Sequence, residues 1–108
     1  MDLLEKKCVP CEGGVEPLKP EKVQEYLRLV PGWQVKDGRL FREFKFKDFA
    51  KAMEFVNKIA AIAEEEGHHP DLHVHYNEVK VELWTHAING LHDNDFVVAA
   101  KIGAFVSV

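Results

Sequence analysis

The chain has 108 residues, a net charge of −4 and 46% hydrophobic residues, which is the composition of an ordinary globular protein. A chain of this length forms one domain, and its acidic balance argues against a nucleic-acid-binding surface, since phosphate contacts need clustered Lys and Arg. The longest apolar stretch is too short to span a bilayer and the opening residues lack a basic, apolar leader, so we expect a cytoplasmic protein without membrane contact.

Residues 1–19 form the first predicted unit, a loop-like N-terminal segment in which Gly13-Gly14 and Pro17 interrupt any regular period. Cys8 and Cys11 lie in this segment with the C-x-x-C spacing. Two cysteines without a secretory context do not predict a disulfide framework. The spacing suits half of a zinc site, completed by a second chain or by nearby histidines, but a loosely packed loop is the favoured interpretation.

The next elements are a helix and a hairpin. Pro20 begins a helix at its first turn, and Pro31-Gly32 ends it. Two short strands follow, and Asp37-Gly38 between them is typical of a type I′ turn. On the returning strand Arg42 interrupts the apolar face, which predicts a position near an edge.

A long helix begins after Asp48, a good N-cap, and ends at Glu64-Glu65-Glu66-Gly67. Its apolar positions recur every three or four residues over about 27 Å. Three acidic residues at the negative end of a helix dipole are locally unfavourable, which hints at a function for this end.

A second hairpin over residues 72–85 and a helix from about Asp93 complete the chain. From Phe96 to Val108 the sole charged residue is Lys101, so this helix is apolar on more than one face. Because one small sheet cannot cover such a helix, we expect it to form subunit contacts. The order predicts an α+β fold, with a four-stranded antiparallel sheet from two hairpins and three helices packed on one face.

All six histidines lie between positions 68 and 92, and this clustering is the most informative feature of the sequence. Histidine changes its charge near neutral pH, so a cluster indicates either proton transfer or metal binding. His73 and His75 point to the same face of a strand, but no spacing typical of a zinc hydrolase is present. Proton transfer is favoured, since a loop held by Pro70 can direct both His68 and His69 into one pocket.

Seven positions carry a resemblance to a known family. The run Glu64-x3-His68-His69-Pro70-x5-Tyr76-x9-His86-x8-Asp95 resembles the signature of the pterin-4a-carbinolamine dehydratases. The segments Gly32-Trp33, 46–49 and Gly90-Leu91 are similar as well, and the resemblance extends from about residue 20 to the end. It implies that residues 20–108 form a single dehydratase domain.

The resemblance also implies an activity and a site. The activity is dehydration of 4a-hydroxytetrahydropterin to quinonoid dihydropterin, which recycles the pterin cofactor of aromatic amino-acid hydroxylases without a metal or organic cofactor. The implied catalytic residues are His68, His69 and His86. Substrate binding is implied for Gly67, Pro70, Trp84, Thr85 and Ala87, whereas Asp95 and Glu64 are available carboxylates that orient histidines.

The implied partners are the pterin itself and further copies of the chain, as a dimer or tetramer through the C-terminal helix. Animal members of the family also serve as a dimerization cofactor of a transcription factor. An interaction module of that kind is the alternative function, and a metal-binding protein built on the histidine cluster is a third.

Overall fold

Two hairpins form a four-stranded antiparallel sheet in a computed structural model, which describes residues 3–8 and 16–105. The strands are β1 (Gln34–Lys36), β2 (Arg39–Lys45), β3 (Asp71–His75) and β4 (Glu78–Leu83), in the spatial order β1-β2-β4-β3. Asp37 and Gly38 have φ values of 54° and 76°, as the predicted type I′ turn requires. Cys11, Gly13 and Gly14 lie outside the described residues, as do residues 106–108.

Three helices accompany the sheet: α1 (Pro20–Leu27), α2 (Phe49–Glu66) and α3 (Asp93–Gly103). The predicted order of helix, hairpin, helix, hairpin and helix is confirmed, and the fold is α+β. Helix α1 ends earlier than predicted. Its last turn tightens, since the N–H groups of Leu29 and Val30 donate to carbonyls three residues back rather than four.

One face of the sheet carries the core. Leu40, Val79, Val81 and Leu83 are fully buried, as the alternation of the strands predicts. Arg42 lies on this face just beyond the end of β1, where its guanidinium stacks 4.5 Å from the centroid of the Phe44 ring. The opposite face is charged, with Glu43 paired to Lys80 and Lys45 paired to Glu78 across β2 and β4.

The core side of α2 and most of α3 complete the interior. The buried residues of these helices are Ala52, Phe55, Ile59, Ile62, Ala63, Asn94, Asp95, Phe96, Val97, Val98, Ala99 and Ile102. Most apolar residues of α3 are buried within the chain itself, so its composition alone does not require cover by another subunit, and subunit contact stays a prediction. The sheet is not the sole cover: the Tyr26 ring of α1 packs edge-on against Phe96 with centroids 5.3 Å apart, and Leu3 joins the same core.

Residues 3–8 of the N-terminal segment contain neither helix nor strand, as predicted for a loop, but they are attached to the domain rather than loosely packed. Leu3 is buried in the core, and Lys6 forms an ion pair of 2.9 Å with Asp93. The Cys8 N–H donates to Glu66 Oε1 at 2.8 Å. We call residues 3–8 the N-terminal arm.

Helix α2 has the ends that its sequence predicts. The Asp48 side chain accepts a hydrogen bond from the Lys51 N–H at 2.9 Å, and Gly67 ends the helix in the left-handed conformation with φ of 67°. Each of the three acidic residues before Gly67 has a basic partner: Glu64 pairs with His69, Glu65 with Lys7, and Glu66 with Lys101. These pairs offset the unfavourable charge at the end of the helix.

Within residues 3–8 and 16–105, none of the helices combines the length and the hydropathy that a bilayer crossing requires.

Candidate active site

A cavity of about 750 Å³ opens where the end of α2, the end of β4 and the start of α3 meet. This volume is in the range of small-molecule sites in proteins. All eight residues for which the sequence predicted catalysis or substrate binding line it, together with four others. The lining residues are Cys8, Glu66, Gly67, His68, His69, Pro70, Asp71, Trp84, Thr85, His86, Ala87 and Asn94.

Two adjacent histidines enter the cavity with different exposure. Gly67 turns the chain out of α2, and the following His68 N–H still donates to the Ala63 carbonyl at 3.2 Å. The His68 side chain is 12% exposed and that of His69 is 61% exposed. His68 is therefore held inside the protein, whereas His69 lies at the mouth of the cavity.

Asp95 lies fully buried behind His68 and connects three elements. Its Oδ1 lies 2.6 Å from His68 Nε2, and its Oδ2 accepts from the Thr85 hydroxyl at 2.8 Å and the His92 N–H at 2.9 Å. An ionised carboxylate accepts hydrogen bonds and donates none. Asp95 therefore places the proton of a neutral His68 on Nε2 and leaves Nδ1 with a free lone pair.

His69 has a carboxylate partner at the surface. Its Nε2 lies 2.6 Å from Glu64 Oε2, although both side chains are mostly exposed. Glu64 precedes His69 by five residues, so the left-handed turn at Gly67 brings the two side chains back together. The structure places both predicted orienting carboxylates beside a histidine, Asp95 in the interior and Glu64 in contact with solvent.

His86 is positioned by stacking. It begins a short 3-10 helix (His86–Ile88), and its ring lies 4.1 Å from the Trp84 ring. The Arg39 guanidinium lies 4.5 Å from the Trp84 ring and forms an ion pair with Glu82 at 3.1 Å. A bound cation over an indole restrains the indole, and the indole in turn restrains the imidazole.

The remaining histidines and the signature tyrosine lie outside the cavity lining. His92 caps α3, since its Nδ1 accepts from the Asn94 N–H at 3.1 Å. His73 and His75 are exposed on β3, and Tyr76 forms the left-handed turn of the second hairpin with φ of 52°. Across the two described ranges, no three His, Cys, Asp or Glu side chains come together in a metal-ligating group.

Sequence reasoning missed four lining residues, of which Glu66 and Cys8 form a partly buried cluster with Lys101. The Glu66 side chain is 3% exposed, and its Oε2 accepts from Lys101 Nζ at 2.7 Å. The Lys101 ammonium and the Cys8 N–H hold the pKa of the Glu66 carboxyl below its usual value. One signal was available: Lys101 is the one charged residue within 96–108, and a lysine in such an apolar stretch favours an acidic partner.

The environment of Cys8 gives a testable prediction. Burial raises the pKa of its thiol to about 12, and the Glu66 carboxylate adds to the effect. The thiol therefore stays protonated and unreactive, since the thiolate is the nucleophile. We expect iodoacetamide at pH 8 to alkylate Cys8 far more slowly in the native protein than in urea, measured by mass spectrometry in a Cys11→Ser variant.

The raised pKa of the Cys8 thiol also makes the stability of the fold depend on pH. A thiol pKa raised above the value of 9.0 in the unfolded chain favours folding below pH 9. This contribution is lost as the pH rises from about 9 towards about 12. Equal alkylation rates in native and unfolded protein would contradict the described position of Cys8.

The fold and the cavity define a small α+β protein with a histidine-lined pocket, and the family model for pterin 4 alpha carbinolamine dehydratase matches residues 16–105. The chain therefore belongs to the pterin-4a-carbinolamine dehydratase family, as the seven-position run predicted.

Relatives of similar length agree. A protein of Rickettsia canadensis, provisionally named pterin-4-alpha-carbinolamine dehydratase, is 54% identical over 102 residues, which are 93% of this chain and 94% of the relative. A protein of Nitrosomonas eutropha with the same provisional name is 50% identical over 94% of this chain and 90% of its own.

Solved structures extend the comparison. The crystal structure of a transcriptional coactivator/pterin dehydratase from Brucella melitensis has a TM-score of 0.81 and 38% identity, over 85% of this chain and all of that one. A pterin dehydratase-like protein described as a RuBisCO assembly factor in the alpha-carboxysome has a TM-score of 0.57 and 29% identity. That match covers 69% of this chain and 87% of the other.

Proposed function

We propose that this chain dehydrates a pterin-4a-carbinolamine to the quinonoid dihydropterin and water, by general acid/base catalysis with histidines. The observation that carries the proposal is the convergence of His68, His69 and His86 on one cavity, in a chain of this family. The reaction moves protons and breaks one C–O bond, and imidazoles suit such chemistry near neutral pH.

The reaction balances with two proton-transfer groups. A general acid protonates the 4a-hydroxyl as its C–O bond breaks and water departs. The electron pair of the adjacent ring nitrogen forms the C=N bond, and a general base removes the ring N–H proton. No electrons are transferred to or from the pterin, so the proposed reaction needs neither a metal nor an organic cofactor.

The environments of the histidines support different roles. His68 is held by Asp95 with Nε2 protonated, so its Nδ1 is suited to accept a hydrogen bond from the pterin and position it. His69 beside Glu64 and His86 on Trp84 are the more exposed groups, and we assign the proton transfers to them. Gly67, Pro70, Thr85 and Ala87 form the surrounding pocket walls.

Stopped-flow dehydration of synthetic 4a-hydroxytetrahydropterin tests the assignment. Because each general acid or base contributes about 10²–10⁴-fold, we expect His69→Ala and His86→Ala each to lower kcat by about 10²-fold or more. His75→Ala is the matched control, since His75 is an exposed histidine on β3 outside the cavity lining. A His86→Ala variant with the turnover of the unmodified chain would refute the role of that residue.

We further propose that the reaction occurs in the cytoplasm and serves an aromatic amino-acid hydroxylase pathway, with the chain as a dimer or tetramer. The large, exposed apolar side chains near both ends of the described chain, Leu4 at 54% and Phe105 at 46% exposure, support self-association. A dimer or tetramer mass by light scattering is expected, and a strictly monomeric protein would contradict it.

A protein-interaction role is the second candidate function. The names of the Brucella coactivator and of the RuBisCO assembly factor favour it, because both describe proteins of related fold that act with macromolecular partners. The two candidates differ in their dependence on the cavity, since loss of His86 slows dehydration and leaves the surfaces outside the cavity unchanged.

A further inference from the structure

The N-terminal arm lines part of the cavity, although it lies outside the residues that the family model matches. The match to the family begins at residue 16, whereas Cys8 of the arm is one of the lining residues. The contact is not a chance approach of a loose end, since the arm is attached at several points. The main ones are Leu3 in the core, the ion pair of Lys6 with Asp93, and the hydrogen bond of Cys8 with Glu66, whereas the exposed pair of Lys7 with Glu65 adds little.

The attachment nearest the cavity uses a carboxylate that is shielded from solvent. Glu66 accepts the Cys8 N–H with one oxygen and the Lys101 ammonium with the other, while its side chain is 3% exposed. The Cys8 sulfur lies 3.7 Å from the Asn94 carbonyl oxygen, so the arm also contacts the first turn of α3. Hydrogen bonds to a buried charge hold the backbone more firmly than neutral ones.

We propose that the N-terminal arm is a wall of the pterin site, and that Glu66 is the positioning residue that holds it there. The inference rests on the proposed function and deepens it by adding a determinant of substrate affinity. The histidines, Asp95 and Glu64 belong to other contacts, so release of the arm leaves the proton-transfer groups in place. The arm therefore governs KM, whereas kcat depends on the histidines.

Two variants release the arm from opposite sides. Glu66→Leu removes the acceptor, and Cys8→Pro removes the N–H donor without changing α2. Glu65→Leu is the matched control, because Glu65 is the neighbouring acid, is 69% exposed and faces Lys7 at 3.6 Å. Glu66→Gln keeps an acceptor for the Cys8 N–H, so its effect is expected to be smaller than that of Glu66→Leu.

We expect KM to rise about tenfold in Glu66→Leu and Cys8→Pro with kcat within about twofold of the unmodified chain, as loss of substrate binding alone requires. Trypsin cleavage after Lys6 reports the release of the arm directly, and it should be faster in both variants. Glu65→Leu should match the unmodified chain in both assays.

Binding of a stable pterin to the unmodified chain completes the test. If the arm touches the pterin, saturating 7,8-dihydrobiopterin must slow trypsin cleavage after Lys6 and Lys7. The reason is reciprocity: an attached arm that strengthens pterin binding is itself held more tightly, by the same factor, when the pterin is bound. An unchanged KM in variants whose arm is cleaved faster would overturn the inference while leaving the dehydratase function intact. Should the unmodified chain prove inactive, protection by the pterin would still support the arm as part of its site, and no protection would overturn it.

Discussion

Replacing Asp95 with Asn is expected to lower kcat/KM for dehydration by about 10²-fold, which corresponds to about 2.7 kcal/mol of transition-state stabilisation. The reason lies in the three groups with which the Asp95 carboxylate forms hydrogen bonds. The His92 N–H can only donate, so the amide oxygen of Asn must take the place of Oδ2. The amide NH₂ then faces His68 Nε2 and must donate to it.

Donation by the amide reverses the tautomer of His68. Its Nε2 becomes the acceptor, the proton moves to Nδ1, and the lone pair that we assign to pterin positioning is lost. All three hydrogen bonds survive, so the free energy of unfolding should fall by only about 1 kcal/mol, mostly from loss of a negative charge at the start of α3.

Stopped-flow kinetics and urea denaturation measure the two effects separately. Asp93→Asn is the control, since it changes the same helical turn but affects a carboxylate that is 29% exposed and paired with Lys6. We expect this control to keep its kcat and, because it weakens a single attachment of the N-terminal arm through Lys6, to raise KM by much less than tenfold. An Asp95→Asn variant with unchanged kcat/KM would contradict the tautomer argument, whatever its stability.

The largest effect on stability is expected for Phe96→Ala, at about 3–5 kcal/mol. Phe96 is fully buried in α3 and carries the edge-on contact with Tyr26 of α1. Its removal leaves a cavity between two helices and the sheet, which the surrounding side chains fill only in part.

Phe49→Ala is the matched control because the same substitution at the first residue of α2 removes a ring that is 49% exposed. Its free energy of unfolding should change by less than about 1 kcal/mol. Thermal unfolding of both variants checks the prediction, at about 4–8 °C of Tm per kcal/mol for a domain of this size. Similar losses in the two variants would contradict the burial of α3 within its own chain.

The sequence predicted those elements that short-range rules determine. The turn at Asp37-Gly38 requires two positive φ angles, and Asp48 and Gly67 are typical residues for the two ends of a helix. The buried face of β4 follows from alternation alone. The convergence of the three histidines was predicted through the spaced pattern of the family rather than through periodicity.

Contacts between distant residues were not predictable in the same way. Cys8 and Glu66 are 58 positions apart in the sequence, and Lys6 and Asp93 are 87 apart. No local sequence pattern therefore predicts the attachment of the arm. The burial of α3 depends on the combined cover from α1, the arm and the sheet. A prediction that considers the sheet alone underestimates how much of α3 is covered. The different exposure of His68 and His69 depends on the turn at Gly67 and on Asp95, and both act through tertiary geometry.

The central claim is that this chain accelerates the dehydration of a pterin-4a-carbinolamine. Stopped-flow absorbance with synthetic 4a-hydroxytetrahydropterin tests it most directly, with rates extrapolated to zero buffer concentration to remove catalysis by the buffer. We predict a first-order rate constant that rises in proportion to protein concentration and returns to the buffer value in a His69→Ala/His86→Ala double variant. A rate constant that stays at the buffer value at every protein concentration would contradict the claim.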